Sequence, residues 1–315
     1  MTQFAPHLDA PHSRVAPRVA LGSWLRLLRP HQWIKNVLLF VPLAAAHGLH
    51  DAHHLVTGLM AFAAFSLAAS SIYVFNDLLD ADEDRRHPQT ALRPIAHGDI
   101  GTLTAILTLG ALLLAAALIA VLLPWAFCWM LAAYYITMSL YSLALKRVVV
   151  LDILILSAGY SLRVAAGAAA LRIAVSPWLI ALGGSMFLSL ALLKRYVALV
   201  AFSVAMGDGS SQDRDSGHGP YHGADAPVLA AQGIASGYVA VLVLALYASS
   251  ETARRLYRHA WAIWALCVLL VYWLNYIWLM ARRGVVPHDP VAFALRDPVS
   301  ALLIAGMAAA AVLAV

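Results

Sequence analysis

Asn76, Asp77, Asp80 and Asp84 are spaced so that, on a helix turning about 100° per residue, they fall within roughly a 100° arc, whereas Asp82 points elsewhere. One face therefore carries three carboxylates. Like charges held that close raise one another's pKa, which is costly unless a divalent cation or a cationic partner sits among them. Mg²⁺ usually takes one or two protein carboxylates together with phosphate oxygens and keeps several waters, so a sparse acidic stripe suits Mg²⁺ on a diphosphate better than a closed protein cage. Cations follow at once: Arg85, Arg86 and Arg93, with Pro88 ending the helix, occupy a loop able to fold back over the acidic face. The planar fork of arginine matches phosphate oxygens, so carboxylates for a metal beside arginines for oxygens make a phosphate site. Alone, an acidic run is more often a solvated helix end, and arginines are as often membrane-surface anchors. The combination is what carries chemistry.

The elements that must position these residues are set by composition. The 315-residue chain is 62% hydrophobic and 12% charged, with a mean hydropathy of +0.78, against the roughly 25% charged content of a soluble domain. An all-α, polytopic membrane bundle is expected. Apolar runs place about nine transmembrane helices near residues 37–49, 55–75, 101–123, 125–145, 149–171, 177–200, 228–249, 260–280 and 299–315. Residues 1–20, polar and without an apolar core, read as a flexible cytosolic tail. Residues 21–315 form a single transmembrane domain. Leu21, Trp24, Leu25 and Leu28, with Arg26 and Arg29 between them, suggest a short interfacial helix leading to Trp33 and Lys35 as headgroup anchors.

With a cytosolic amino terminus, 16 of the 21 cations fall on the cytosolic side, in the amino-terminal segment, at the end of the span 177–200 and in loops at about 76–100, 146–149, 201–227 and 281–298; Arg163 is mid-span, and Arg172, Arg254, Arg255 and Arg258 fall outside. This predicts an integral protein of the inner or plasma membrane whose acidic cluster faces the cytosol. The net charge of +5 belongs to dispersed loop cations, so nucleic acid is not an expected partner; membrane lipids are, and an oligomer is left open.

Other polar residues carry less. Arg163 lies mid-span, where a cation normally faces a bundle interior or a watery cavity; it either meets a lipid phosphate or serves as a hydrogen-bond hub between helices. Asp152 shares its helix face, but eleven residues at 1.5 Å put the two roughly 16 Å apart, with Asp152 at the mouth beside Lys146. Asp289 and Asp297, each before a proline, read as helix caps. The polar stretch 207–227 is a linker or a lid, and Asn275 either lines a cavity or bonds a neighbouring helix. Cys128 and Cys267 sit inside spans as small hydrophobes.

Asn76-Asp77-x-x-Asp80-x-x-x-Asp84 at the end of the second span resembles the first aspartate-rich motif of the UbiA superfamily of intramembrane prenyltransferases. The resemblance implies helices around a central lipid-accessible cavity, with Mg²⁺ bridging Asp77, Asp80 and Asp84 to a diphosphate leaving group. Within the superfamily the chain is most similar to the polyprenyl-phosphate (decaprenyl-phosphate) phosphoribosyltransferases, through Arg29-Pro30-His31-Gln32-Trp33-Ile34-Lys35-Asn36, His87-Pro88 with Arg93-Pro94-Ile95-Ala96, Lys146 followed by Asp152, Arg163-Val164-Ala165-Ala166-Gly167, and Lys194-Arg195-Tyr196. Members that use prenyl diphosphates often have a second pair of aspartates four residues apart. Here Asp152 is followed four residues later by Leu156, which tilts the reading to the phosphoribosyl branch.

The implied reaction transfers 5-phosphoribosyl from phosphoribosyl pyrophosphate to a polyprenyl phosphate. Asn76 supports the metal shell, Arg85, Arg86, Lys146 or Arg93 take phosphate oxygens, and Arg163, Lys35, Lys194 or Arg195 hold the lipid head, with Asp152 in the catalytic set. A prenyltransferase acting on an aromatic acceptor is the alternative, and a non-enzymatic transporter a remote one, since no internal repeat of the kind transporters carry is evident.

Overall fold

The protein is described from a computed structural model covering residues 21–46, 48–86, 90–206, 220–287 and 290–315; the expected tail 1–20, His87, Pro88, His288 and Asp289 lie outside them. Among these residues all regular structure is helical. The chain runs through α1 (Leu21–Leu28), a 3₁₀ segment (Pro30–Phe40), α2 (Val41–Ala45), α3 (Ala52–Leu79), α4 (Ala81–Asp84), α5 (Pro94–His97) and α6 (Thr102–Ala120). It continues through α7 (Trp125–Leu143), α8 (Leu151–Leu171), α9 (Pro177–Met206), α10 (Ala226–Ser249), α11 (Glu251–Leu256), α12 (Trp261–Arg282), α13 (Pro290–Arg296) and α14 (Pro298–Ala314). Seven of these, α3, α6, α7, α8, α9, α10 and α12, are long and apolar enough to cross a membrane, and α14 is an apolar helix of 17 residues. The chain is an integral membrane protein. Helix α9 runs on to Met206, past the expected end at 200.

The expected first span is the exception. Residues 37–49 do not form a membrane-crossing α-helix; they divide between the end of an 11-residue 3₁₀ segment, the five-residue α2 and a short 3₁₀ turn. Packing explains the departure. A Cβ on Gly167 of α8 would lie 2.0 Å from the backbone oxygen of Leu39, so the segment rests its main chain directly on α8, which the tighter 3₁₀ winding permits. Asn36 is buried there and donates to Ser66 Oγ of α3 at 2.9 Å. Gly167→Ala is therefore expected to lower stability by about 1–3 kcal/mol, the usual cost of overpacking, read as a lower thermal midpoint of the solubilised protein. An unchanged midpoint would show that the segment can draw back.

Two cores flank α8. One gathers Leu39, Phe65, Phe127, Tyr134 and Ala166 from the 3₁₀ segment, α3, α7 and α8; the other gathers Leu193, Leu274, Ile277 and Trp278 from α9 and α12, with Ile153 of α8 joining it. Small residues let helices close in the second half, where Gly233 and Gly237 of α10 leave room for Trp278 and Leu274. Leu103, Ile106, Leu107 and Leu114 of α6 face outward, as lipid contact requires. Helix α1 buries Ser23 and Leu27 and exposes Leu21 and Leu25; Ser23 and Arg26 tie it to Asp99 at 2.8 and 2.9 Å. The hydrogen bonds from His97 and Ser23 hold the Asp99 carboxyl below its usual range. Asp297 caps α14, accepting from the Ser300 amide at 2.7 Å, and Asn275 bonds Tyr238 of α10 at 2.9 Å, a helix-to-helix contact.

Candidate active site

Helix α3 ends at Leu79, and Asp80, at φ −91° and ψ 2°, separates it from α4. The acidic stripe is thus carried by a broken helix, not the continuous one its spacing suggests. Register survives the break because the Asp80 amide reaches the Asn76 carbonyl at 2.9 Å and the Asp84 amide reaches that of Asp80 at 2.8 Å.

Each carboxylate of the stripe meets a cation. Asp77 is 1% exposed, and its Oδ1 accepts from Arg29 at 2.7 Å, with Arg93 Nη1 3.4 Å away. The same Arg93 nitrogen donates to Asp84 Oδ2 at 2.8 Å, so one guanidinium serves both acids. Lys146, arriving from the α7–α8 connection, donates to both oxygens of Asp80 at 2.7 and 2.8 Å. Arg93 does fold back over the stripe. Arg85 turns instead to Asp82 and the Ala96 carbonyl, Arg86 is exposed, and Asn76 is half-buried beside the cluster.

Among the described residues no three His, Cys, Asp or Glu side chains stand together as a ready metal cage. The donor set nevertheless fits a hard cation that needs only one or two carboxylates. Asp77 Oδ2 is buried and accepts no hydrogen bond among the described residues, and an orphaned carboxylate oxygen is expensive without a ligand. Asp84 and Asp80 lie next along the stripe.

A second group lies at the same end of the bundle. Asp152, in the first turn of α8, is wholly buried and is not at an open mouth beside Lys146; it forms an ion pair with Arg195 of α9 and accepts from the Tyr221 hydroxyl at 2.6 Å. Arg195 also donates to Tyr141 of α7 at 2.8 Å. Tyr221 in turn accepts from the Val150 amide at 2.8 Å. Burial holds its hydroxyl well above the usual tyrosine value, and the bond to Asp152 pushes the same way, so it stays a donor at neutral pH. Leu156, where a second aspartate would stand, packs against the α9–α12 core. Lys35 and Lys194 are half-buried, one on the 3₁₀ segment and the other beside Arg195.

Arg163 stands apart from both groups. Its Nε donates to Asn36 at 2.9 Å, Nη1 to the Gly159 carbonyl at 2.6 Å and Nη2 to Tyr134 at 2.8 Å, while the rings of Phe65, Tyr134 and Tyr160 surround the guanidinium. That geometry is the hub between helices. Sequence reasoning did not assign Arg29, Tyr141 or Tyr221. Arg29 precedes Pro30 and adopts φ 49°, a left-handed conformation that turns α1 into the 3₁₀ segment and delivers the guanidinium to Asp77. In the sequence Arg29 heads a stretch that resembles the phosphoribosyltransferases, but its arginine–proline step reads equally well as a surface anchor.

The model of the UbiA prenyltransferase family matches residues 37–297. The chain is 35% identical over 295 residues to the uncharacterized protein y4nM of Sinorhizobium fredii, covering 93% of this chain but 56% of that one, so it spans about half the length of that relative. It is 31% identical over 293 residues to the nodulation protein NoeC of Azorhizobium caulinodans, with 93% of each chain covered. It is 38% identical over 189 residues to the decaprenyl-phosphate phosphoribosyltransferase of Mycolicibacterium smegmatis, covering 58% of this chain and 59% of that one. A UbiA homolog from Archaeoglobus fulgidus, solved with GPP and Mg²⁺, superposes with a TM-score of 0.65 at 19% identity, over 92% of this chain and 99% of that one, a likeness of fold.

Proposed function

The chain belongs to the UbiA prenyltransferase family, and we propose that it is a Mg²⁺-dependent transferase moving 5-phosphoribosyl from phosphoribosyl pyrophosphate to a polyprenyl phosphate at the cytosolic face. The observation that carries this choice of substrates is the second group: one carboxylate, Asp152, fully buried and paired with Arg195, with Leu156 packed against the core four residues on. A single buried carboxylate with no second acid four residues on is a poor site for a second metal. The cations Lys194 and Arg195 beside it suit an anionic partner, and the name of the mycolicibacterial relative, a decaprenyl-phosphate phosphoribosyltransferase, points to phosphoribosyl transfer to a polyprenyl phosphate.

Asp77 through its Oδ2, with Asp80 and Asp84, would hold the metal, and Asn76 lies close enough along the stripe to support it. When bound, Mg²⁺ neutralises charge on the departing diphosphate. Arg29 orients Asp77 through the bond to its Oδ1. As the bond from the anomeric carbon to the diphosphate oxygen breaks, negative charge grows on the leaving group, where Arg93 and Lys146 meet it; Arg85 and Arg86 extend that field outward. An oxygen of the polyprenyl phosphate, its head drawn by Lys35, Lys194 and Arg195, forms the new bond to the anomeric carbon. That oxygen is already anionic, so no general base is needed. Arg163 has no part in this scheme: it stands apart from both groups and gives three of its five donors to Asn36, Gly159 and Tyr134.

Purified protein with Mg²⁺ is expected to release diphosphate from phosphoribosyl pyrophosphate and polyprenyl phosphate, and not from a prenyl diphosphate with 4-hydroxybenzoate. Product from the second pair alone would move the chain to the aromatic prenyltransferases. Reaction of neither pair by folded protein would favour transport.

A further inference from the structure

Val150 is a β-branched residue at φ 68° and ψ −44°, in the γ-turn of the disfavoured hand, closed by a 2.8 Å bond from the Leu151 amide to the Val149 carbonyl. Nothing in the local sequence favours that conformation. Valine–valine–valine at 148–150 prefers extended backbone, and no glycine relieves the turn. The turn must therefore be held from outside. The Tyr221 hydroxyl does so at both ends, accepting from the Val150 amide and donating to Asp152 two residues on. The same connection carries Lys146, whose ammonium reaches Asp80 in the acidic stripe. A strained turn thus stands between the two groups of the site, with one phenol fixing it.

We infer that Tyr221 is a positioning residue: by holding the Val150 turn and Asp152, it sets the connection that presents Lys146 to Asp80 and to a diphosphate bound there. The inference rests on the reading that Lys146 meets the donor's diphosphate. It implies that Tyr221 governs donor capture more than the chemical step, because Lys146, presented by the connection it steadies, binds the leaving group while Tyr221 itself touches no reacting atom.

The test uses the full chain in detergent micelles. Tyr221→Phe removes one oxygen and leaves the ring buried; it is expected to raise the KM of the diphosphate donor that the parent enzyme turns over about tenfold, with kcat within about twofold. Deuterium uptake by peptides spanning Val150 should rise in the same variant without any substrate, so failure of the phosphoribosyl assignment remains distinguishable from failure of this inference. Adding Val150→Gly, which adopts positive φ without strain, should bring the donor KM of Tyr221→Phe back to within about threefold of the parent. Val150→Gly alone should keep the parent KM and not lower the thermal midpoint. Unchanged exchange, an unchanged donor KM, a loss that Val150→Gly does not restore, or a lowered midpoint in the single glycine variant each overturns the inference.

Discussion

Asp77→Asn is expected to cut Mg²⁺-dependent diphosphate release by about 10³-fold or more while leaving a folded protein, because it deletes charge at the most enclosed carboxylate of the stripe. Asp77 Oδ2 is buried and takes no hydrogen bond among the described residues, whereas Oδ1 takes the Arg29 bond. An amide can keep only one of these roles: whichever oxygen becomes nitrogen places a donor against either the metal position or an arginine. The fold survives because the Arg29 side chain, 23% exposed, can turn to water once its partner is neutral. Turnover, bound Mg²⁺ and the thermal midpoint should be measured on one preparation. Near-normal turnover would remove the metal assignment, and collapse of the midpoint would show that the Arg29 pair is chiefly structural.

The second large effect is on stability. Arg163→Met leaves Asn36 Oδ1, the Gly159 side of the contact and the Tyr134 hydroxyl without the charged donor that joins the 3₁₀ segment, α7 and α8. Breaking a buried, charge-assisted network of this kind costs about 3–5 kcal/mol, which should appear as a large drop in the thermal midpoint and a poor yield of monodisperse protein. Molecules that do fold should keep the donor KM, since the guanidinium bonds no group of the acidic stripe. A normal midpoint combined with loss of polyprenyl phosphate use would instead place the lipid head at Arg163.

Much of the bundle was readable from sequence because lipid leaves a chain little choice: every backbone amide must bond within its own helix, so spans appear as long apolar runs, and α3, α6, α7, α8, α10, α12 and α14 lie close to their expected bounds. The first segment was not readable. Its 3₁₀ winding follows from contact with Gly167, more than a hundred residues away, and no local pattern encodes that. Within the candidate site the aspartates stood out because carboxylates are rare in so apolar a chain. Of their partners, Arg93 was expected over the stripe, but the other pairings were not. Arg29 and Lys146 sit among many loop cations that the membrane surface alone would explain, and nothing but the fold reveals that they end on Asp77 and Asp80. Tyr221 is one of twelve tyrosines, and its burial against Asp152 depends on how the chain returns after α9.

Asp77, Asp80 and Asp84 already rest against arginine and lysine, so a magnesium diphosphate at the stripe would be met by an exchange of counter-ions, the acids holding the metal and the displaced guanidinium and ammonium groups turning to the incoming oxygens. The ion pairs have a consequence without any ligand as well: the bundle can be synthesised and inserted without three bare anions pushing α3 and α4 apart.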